Sequence, residues 1–374
     1  MKFVIAPDKY KGSLTGIEFC NAVENGIKKV ISNAEFLHIP LADGGDGTMD
    51  ALLYSLKGQK VKVEVNNPLF QKIGANYLWV ASKKMAVIEM AEASGLSLLK
   101  LEDRNCMHTT SFGTGELIVD AIKKGVTTIV LGIGGSATND GGMGMATALG
   151  YRFLDKNDEV LKPIGSNLDK VVTIDKTQVH PLLNNVTFKV ACDVKNPLYG
   201  KNGAAYVYGT QKGASDAEIE ILDKGLQSFS QVLLKQYTID CQQMEGAGAA
   251  GGMGAGAVVF LNGVLTSGIE LVKEITDFDK VINNADWIIT GEGMLDNQTL
   301  SGKTITGVLN SANKQNIPVA AFCGSVVITE EEQTKLGITY VTSVLKNVVD
   351  IDTAIKTAYK NLVFSTYNFA KLIQ

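Results

Sequence analysis

The chain has 374 residues, 45% of them apolar, and a formal net charge of −4. That length accommodates two domains, or three, with full cores. The acidic balance excludes a strong electrostatic pull on nucleic acid. The presence of only two arginines, Arg104 and Arg152, argues against a base-reading surface.

Lys2 to Ala6 reads as a buried strand that Pro7 ends. Asp8 to Ser13 follows as a polar loop. Thr15 with Glu18 makes a capping-box pattern, and Ile17 to Ile31 has helical spacing. Phe36 to Pro40 reads as a second strand, running into the Gly-rich loop Leu41 to Thr48 and a helix through Leu56. Val61 to Val65 alternates and is broken by Asn66 to Phe70. Tyr77 to Ala81 and Met85 to Met90 read as antiparallel strands joined by Ser82 to Lys84. Thr114 to Lys124 is helical. Val186 to Cys192 is a strand ending in Asp193 to Leu198, and Ala217 to Leu234 is a long amphipathic helix. Glu245 to Gly256 reads as close backbone packing rather than a flexible hinge. Asp286 to Thr290, Val319 to Phe322 and Ile338 to Val344 are short strands, and Val348 to Ile373 is the last helix.

The centre of the chain is Gly132 to Gly144, which holds six glycines. It follows a β-branched strand, Thr127 to Ile133, and leads into a helix, Met143 to Leu149. A Gly-dense turn of this kind brings backbone N–H groups close to an anion at a helix N-terminus. Gly132, Gly134 and Ala137 also match a dinucleotide fingerprint, with Asp155 about 20 residues on, where a ribose-binding acid is expected. An NAD-dependent oxidoreductase is therefore one alternative. Thr138, Asn139 and Asp140 sit where the helix of such a fingerprint normally packs apolar residues.

The chemistry of the loops is that of phosphoryl transfer, which needs cations on phosphates, a metal and a carboxylate that orients and deprotonates the hydroxyl. Lys9, Lys11, Lys195 and Lys303 can supply cations. Asp8, Asp43, Asp46, Asp193 and Asp296 can supply carboxylates, and loop carboxylates suit Mg²⁺. Gly302-Lys303-Thr304 resembles the end of a Walker A motif, but Asn297 stands where its first glycine belongs. The five cysteines have no C-x-x-C spacing and the three histidines are dispersed. Reduced thiols, no zinc and a cytoplasmic location are expected. The N-terminal apolar stretch is too short for a signal peptide. No run approaches the ~18 apolar residues of a membrane span. The expected partner is a small molecule, with neither nucleic acid nor membrane, and a homo-oligomer is left open.

Six stretches, in order along nearly the whole chain, resemble the bacterial type I glycerate kinase (glycerate 2-kinase) family. They are Ala6 to Leu14, Ala42 to Thr48, Gly134 to Gly142, Asp193 to Leu198, Gly246 to Gly256, and Gly291-Glu292-Gly293 with Asp296, Gln298, Thr299, Gly302 and Lys303. The family usually has Phe where Tyr10 stands. The resemblance implies an ATP- and Mg²⁺-dependent kinase that converts D-glycerate to 2-phosphoglycerate in glyoxylate or sugar-acid catabolism. It also implies an α/β fold of two domains with the active site in the cleft between them. A non-catalytic sugar-acid sensor that keeps this fold is the second alternative. The expected division is a discontinuous three-layer α/β domain, 1–61 with 285–374, and an inserted α/β domain, 62–284. The expected catalytic residues are Asp193 as base, Lys9, Lys303 and Asp296. Substrate or phosphate binding is expected from Asp8, Lys11, Ser13, Gly134, Gly135, Ser136, Thr138, Asn139, Asp140, Lys195, Asn196, Gly291, Glu292 and Gly302. Asp43 and Asp46 are the expected metal ligands.

Overall fold

The computed structural model describes residues 1–8, 10, 12–42, 47–296 and 304–374. Lys9, Lys11, Asp43, Asp46, Gly302 and Lys303 lie outside the described residues. The chain divides into two compact units. One comprises Met1–Asp43, Asp50–Lys57 and Ile269–Gln374; the other comprises Gly44–Met49 and Gly58–Gly268.

The first unit is built on a five-stranded, all-parallel sheet. From edge to edge its strands are Tyr340–Ser343, Val319–Cys323, Trp287–Thr290, Lys2–Ile5 and Glu35–His38. Short apolar runs suit such strands, because both faces of a parallel sheet are covered. Phe3, Ile5, Ile289 and Phe322 pack with Phe19, Val23 and Ile27 of the helix Gly16–Lys28 and with Leu362 and Phe369 of the helix Ile351–Ile373. Val4, Ile288 and Ala321 alternate to the other face and are equally buried. The Thr15–Glu18 capping box forms as its residue types dictate. The last helix begins at Ile351 rather than Val348, because the Asp350 side chain accepts the Thr353 N–H at 2.9 Å and sets the start.

The second unit holds a six-stranded sheet in simple sequential order: Gln59–Asn66, Lys72–Val80, Met85–Glu89, Thr128–Gly132, Thr187–Ala191 and Val264–Thr266. The first three strands pair antiparallel and the last four pair parallel. Its core gathers Ile88, Leu117, Ile129, Leu131, Phe153, Phe188, Phe229 and Phe260. A small antiparallel pair, Arg152–Leu154 with Thr173–Asp175, falls in a stretch where three-residue strands leave too short an alternation to read. Among the described residues, no helix is long and apolar enough to cross a membrane.

The Gly/Ala run is rigid packing. The helix Ala249–Leu261 opens with three left-handed residues, Ala250, Gly251 and Gly252. Gly251 has φ +70°, and a Cβ there would sit 2.0 Å from the Thr138 carbonyl oxygen. A Cβ on Gly256 would sit 2.5 Å from the Gly141 oxygen. The run therefore lies backbone on backbone against the central Gly-rich loop, a contact that any side chain would prevent.

Gly251→Ala should lower the melting temperature by about 4 °C or more. Left-handed strain adds about 1–2 kcal/mol to an overpacking cost of about 1–3 kcal/mol. Gly125→Ala has the same backbone sign, φ +81°, but faces open space, so it should show the strain alone. Equal melting shifts in the two variants, read by scanning calorimetry, would refute the close-packing account.

Candidate functional site

In the second unit the parallel strands end together. Glu89, Gly132, Ala191 and Thr266 are successive partners across the sheet. The loops that follow them therefore leave from one edge, the carboxyl edge where open α/β sheets bind ligands. Two stretches singled out from sequence, Gly134 to Asp140 and Asp193 to Asn196, are brought together at this edge.

The Gly-rich loop is held on several sides. Gly135 accepts from the Leu96 N–H at 2.8 Å, and the Ala137 N–H donates to Ser94 at 2.9 Å. Thr109 Oγ1 donates to the Ala137 carbonyl at 2.8 Å. Lys212 Nζ donates to Ser136 Oγ at 2.8 Å and to the Thr138 carbonyl at 2.7 Å. Gly134 and Gly135 remain exposed. Thr138 Oγ1 and Asn139 Nδ2 are buried with no hydrogen-bond partner. Native proteins seldom leave such groups unpaired, and orphans mark places where a ligand or water completes the network.

Asp140 faces inward. It is fully buried, and its carboxylate accepts from the Ser111 N–H and O–H, both at 2.7 Å. It also accepts from the N–H groups of Gly142 at 3.2 Å and Gly144 at 3.1 Å. Burial pushes its carboxyl up from the ordinary carboxylate range, and these donors pull it back. The Met145 N–H goes to Ser111 Oγ and the Met143 N–H to the Asp140 carbonyl. The expected open helix N-terminus is thus absent. The helix Met143–Ala148 is six residues long, and its first N–H groups are spent on the chain's own acid. The dinucleotide reading fails for the same reason, since the helix starts at Met143 rather than within the fingerprint. Asp155 in turn accepts from the Asn157 and Glu159 N–H groups in a local turn.

Asp193 is exposed just past its strand, and its Oδ1 accepts from the Gly268 N–H at 3.0 Å. Lys195 forms an exposed ion pair with Glu245 at 3.2 Å, a contact of little energetic weight. Asn196 braces its own loop: Nδ2 donates to the Asn202 carbonyl and Oδ1 accepts from the Tyr208 hydroxyl.

The first unit has its own carboxyl edge. In that sheet, strand order reverses between Lys2–Ile5 and Trp287–Thr290, the topological switch point at which ligands bind. Asp8 and Gly291 meet there, with the Asp8 N–H donating to the Gly291 carbonyl at 2.9 Å. Glu292 and Asp296 follow on the same loop, both half-buried. The Ser13 hydroxyl is buried without a partner. Tyr10 donates its hydroxyl to the Phe322 carbonyl. Burial holds that hydroxyl protonated, with Cys323 and Glu292 adding to the effect.

Sequence reasoning passed over four residues here. Glu89 ends its strand and accepts from the Met49 N–H at 2.6 Å and the Gly47 N–H at 3.2 Å. A charge closing the apolar run Met85–Glu89 was a usable signal. Ser111, Thr109 and Lys212 carried none, because their roles depend on contacts 28 to 76 residues away. Burial pulls the Lys212 ammonium down to about 8, while Cys106 and Asp140 act in the other direction. Among the described residues no group of three or more His, Cys, Asp or Glu side chains is placed to hold a metal. Mg²⁺ does not demand such a cage, since it takes one or two carboxylates and completes its shell with water and substrate phosphates. The hard-oxygen carboxylates at both edges fit that chemistry.

Glycine-rich and acidic loops at the carboxyl ends of the parallel strands of two sheets define a small-molecule-binding α/β protein. The glycerate kinase family model matches residues 3–374, and the chain belongs to that family. It is 43% identical to the glycerate kinase of Halalkalibacterium halodurans, over 98% of this chain and 97% of the relative. It is 42% identical to the glycerate 2-kinase of Escherichia coli, over 99% of this chain and 97% of the relative. A crystal structure from Salmonella typhimurium LT2, assigned as glycerate kinase 2, superposes with a TM-score of 0.92 at 40% identity, covering 100% of this chain and 98% of that one. Neither the oxidoreductase nor the sensor alternative finds support among these relatives.

Asp140→Asn should destabilise the fold by about 2 kcal/mol or more, because an amide turns a donor toward N–H donors and strands them in a buried site. Thermal melts of Asp140→Asn and Ser111→Ala would check this, with a melting point unchanged in Asp140→Asn refuting the internal-cap role.

Proposed function

We propose that the protein transfers the γ-phosphoryl group of ATP to the 2-hydroxyl of D-glycerate, releasing 2-phospho-D-glycerate and ADP. The observation that carries this reading is the family match across residues 3–374, joined by a glycerate 2-kinase relative matched over 99% of the chain. A cytoplasmic role in glyoxylate or sugar-acid catabolism accords with it.

The chemistry asks little covalent work of the protein. One P–O bond forms at the glycerate hydroxyl, the bond to the β–γ bridging oxygen breaks, and the hydroxyl proton leaves to a carboxylate. Asp193 is the proposed base. Its exposure supports that role, and so does the parallel edge it shares with the Gly-rich loop. The Gly134, Gly135, Ser136, Thr138 and Asn139 loop is the proposed anion holder, supported by its two orphaned polar groups. Asp8, Ser13, Gly291, Glu292 and Asp296 are proposed to contribute from the switch point of the other sheet, with Lys9, Lys11, Gly302 and Lys303 as neighbours in sequence. Mg²⁺ would be held by Asp43 and Asp46, and when bound it would neutralise phosphate charge. Lys195 and Asn196 are proposed to shape the loop that carries Asp193.

Phosphorus NMR of D-glycerate with ATP and Mg²⁺ tests the reaction and its regiochemistry together. The 2-phosphate is expected; the 3-phosphate alone would overturn the regiochemistry, and no turnover would overturn the kinase reading. Asp193→Asn keeps an oxygen for the Gly268 N–H but removes the base. It should lower kcat by roughly 10²–10⁴ while the fold persists. Retention of kcat within about threefold, well short of the loss a general base entails, would remove Asp193 from that role.

A further inference from the structure

Lys212 is 3% exposed, on the short turn Thr210–Lys212. Among the described residues its ammonium has no carboxylate at bonding distance; its contacts are Ser136 Oγ at 2.8 Å and the Thr138 carbonyl at 2.7 Å. Burying a cation without a close counter-charge is costly, and an apolar side chain would pack there more favourably. The charge must therefore be accounted for by what it does to the loop above it.

Elementary donor and acceptor rules say what that is. An ammonium only donates. Ser136 Oγ must therefore accept from it, which leaves the single Ser136 O–H to point elsewhere. The Thr138 carbonyl is likewise turned toward Lys212. Because the peptide is planar and trans, the N–H of Asn139 points the opposite way. Four further features lie on the same short loop: exposed Gly134 and Gly135, and the unpartnered buried atoms Thr138 Oγ1 and Asn139 Nδ2.

We propose that Lys212 is the positioning residue of the Gly134–Asp140 loop, bonding it from behind so that the Ser136 hydroxyl and the Asn139 N–H are aimed at an anionic group of the substrates. This deepens the kinase reading and rests on it. The anionic group is a carboxylate or a phosphate, supplied by D-glycerate or by ATP. Lys212 itself touches neither. The charged state of the ammonium is required, since the neutral amine can accept a hydrogen bond from the Ser136 O–H and release the hydroxyl from its set direction. With burial drawing Lys212 to about 8, against the opposing influence of Cys106 and Asp140, the aiming is complete below that pH and fades above it.

The test uses the full-length protein, Lys212→Met and Ser136→Ala. Binding of D-glycerate and of ATP is measured separately by calorimetry, alongside kcat and KM for each, from pH 6.5 to 9.5. Lys212→Met should fold and should weaken one ligand by about tenfold or more; which ligand weakens identifies the source of the anion. In the parent, kcat/KM for that ligand should fall above about pH 8, and this limb should be missing from Lys212→Met. Ser136→Ala should weaken the same ligand, and it keeps the inference testable if Lys212→Met does not fold. Affinity for both ligands within about threefold of the parent in both variants would overturn the inference. So would a parent profile that stays flat between pH 7 and 9. Intact binding with no parent turnover would overturn the kinase reading alone; no binding of either ligand would overturn both.

Discussion

The second unit depends on one buried carboxylate. Asp140 gathers the N–H and O–H of Ser111 and the N–H groups of Gly142 and Gly144. Those groups belong to the starts of two different helices, Phe112–Lys123 and Met143–Ala148. Each helix start would otherwise bury unpaired donors. A single acid answers both, and in doing so it sets where the Gly-rich loop ends and how far the two helices can move apart. The Gly/Ala run then closes over this knot. The Gly141 N–H donates to the Gly251 carbonyl at 3.0 Å, and Gly142 lies against Gly256. Side chains are missing from the run because there is no room for them.

A knot of this kind gives the loop groups of two different kinds. One is buried charge of both signs, Asp140 and Lys212, each hydrogen-bonded to atoms of the loop or its neighbours. The other is exposed glycines and buried polar groups without partners. The proposed anion holder draws on donors fixed in this way, since little reorganisation is needed when a ligand meets them. The rigidity comes from tertiary packing, not from the loop's own sequence, which by its glycine content would otherwise be among the most mobile in the chain.

The first unit reaches a comparable arrangement by topology. Its strand order reverses between Lys2–Ile5 and Trp287–Thr290, and the loops that carry Asp8 and Gly291 are hydrogen-bonded to each other at that point. Here the strand order alone sets the position, the kind of place at which open α/β sheets bind ligands. Tyr10 shows how a buried polar group is accommodated in that core. Its hydroxyl donates to the Phe322 carbonyl, so it enters the core with its partner already present.

Much of this was legible in the sequence. Short β-branched runs alternating with amphipathic segments determined the α/β class, and the Thr15–Glu18 pattern determined a helix start that forms as written. The glycine density of residues 246–256 announced close packing, because only glycine tolerates backbone contact. Positions of the charged loops followed from strand ends. What the sequence did not determine was direction. Asp140 reads as a ligand-facing acid and turns inward; Lys212, which no local pattern marks, is buried. Glu89 and Ser111 carried no mark of their partners. Local pattern sets which residues are near one another along the chain, but which way a polar side chain faces is decided by partners brought from 29 to 76 residues away. Those contacts exist only once the sheet has aligned its carboxyl ends.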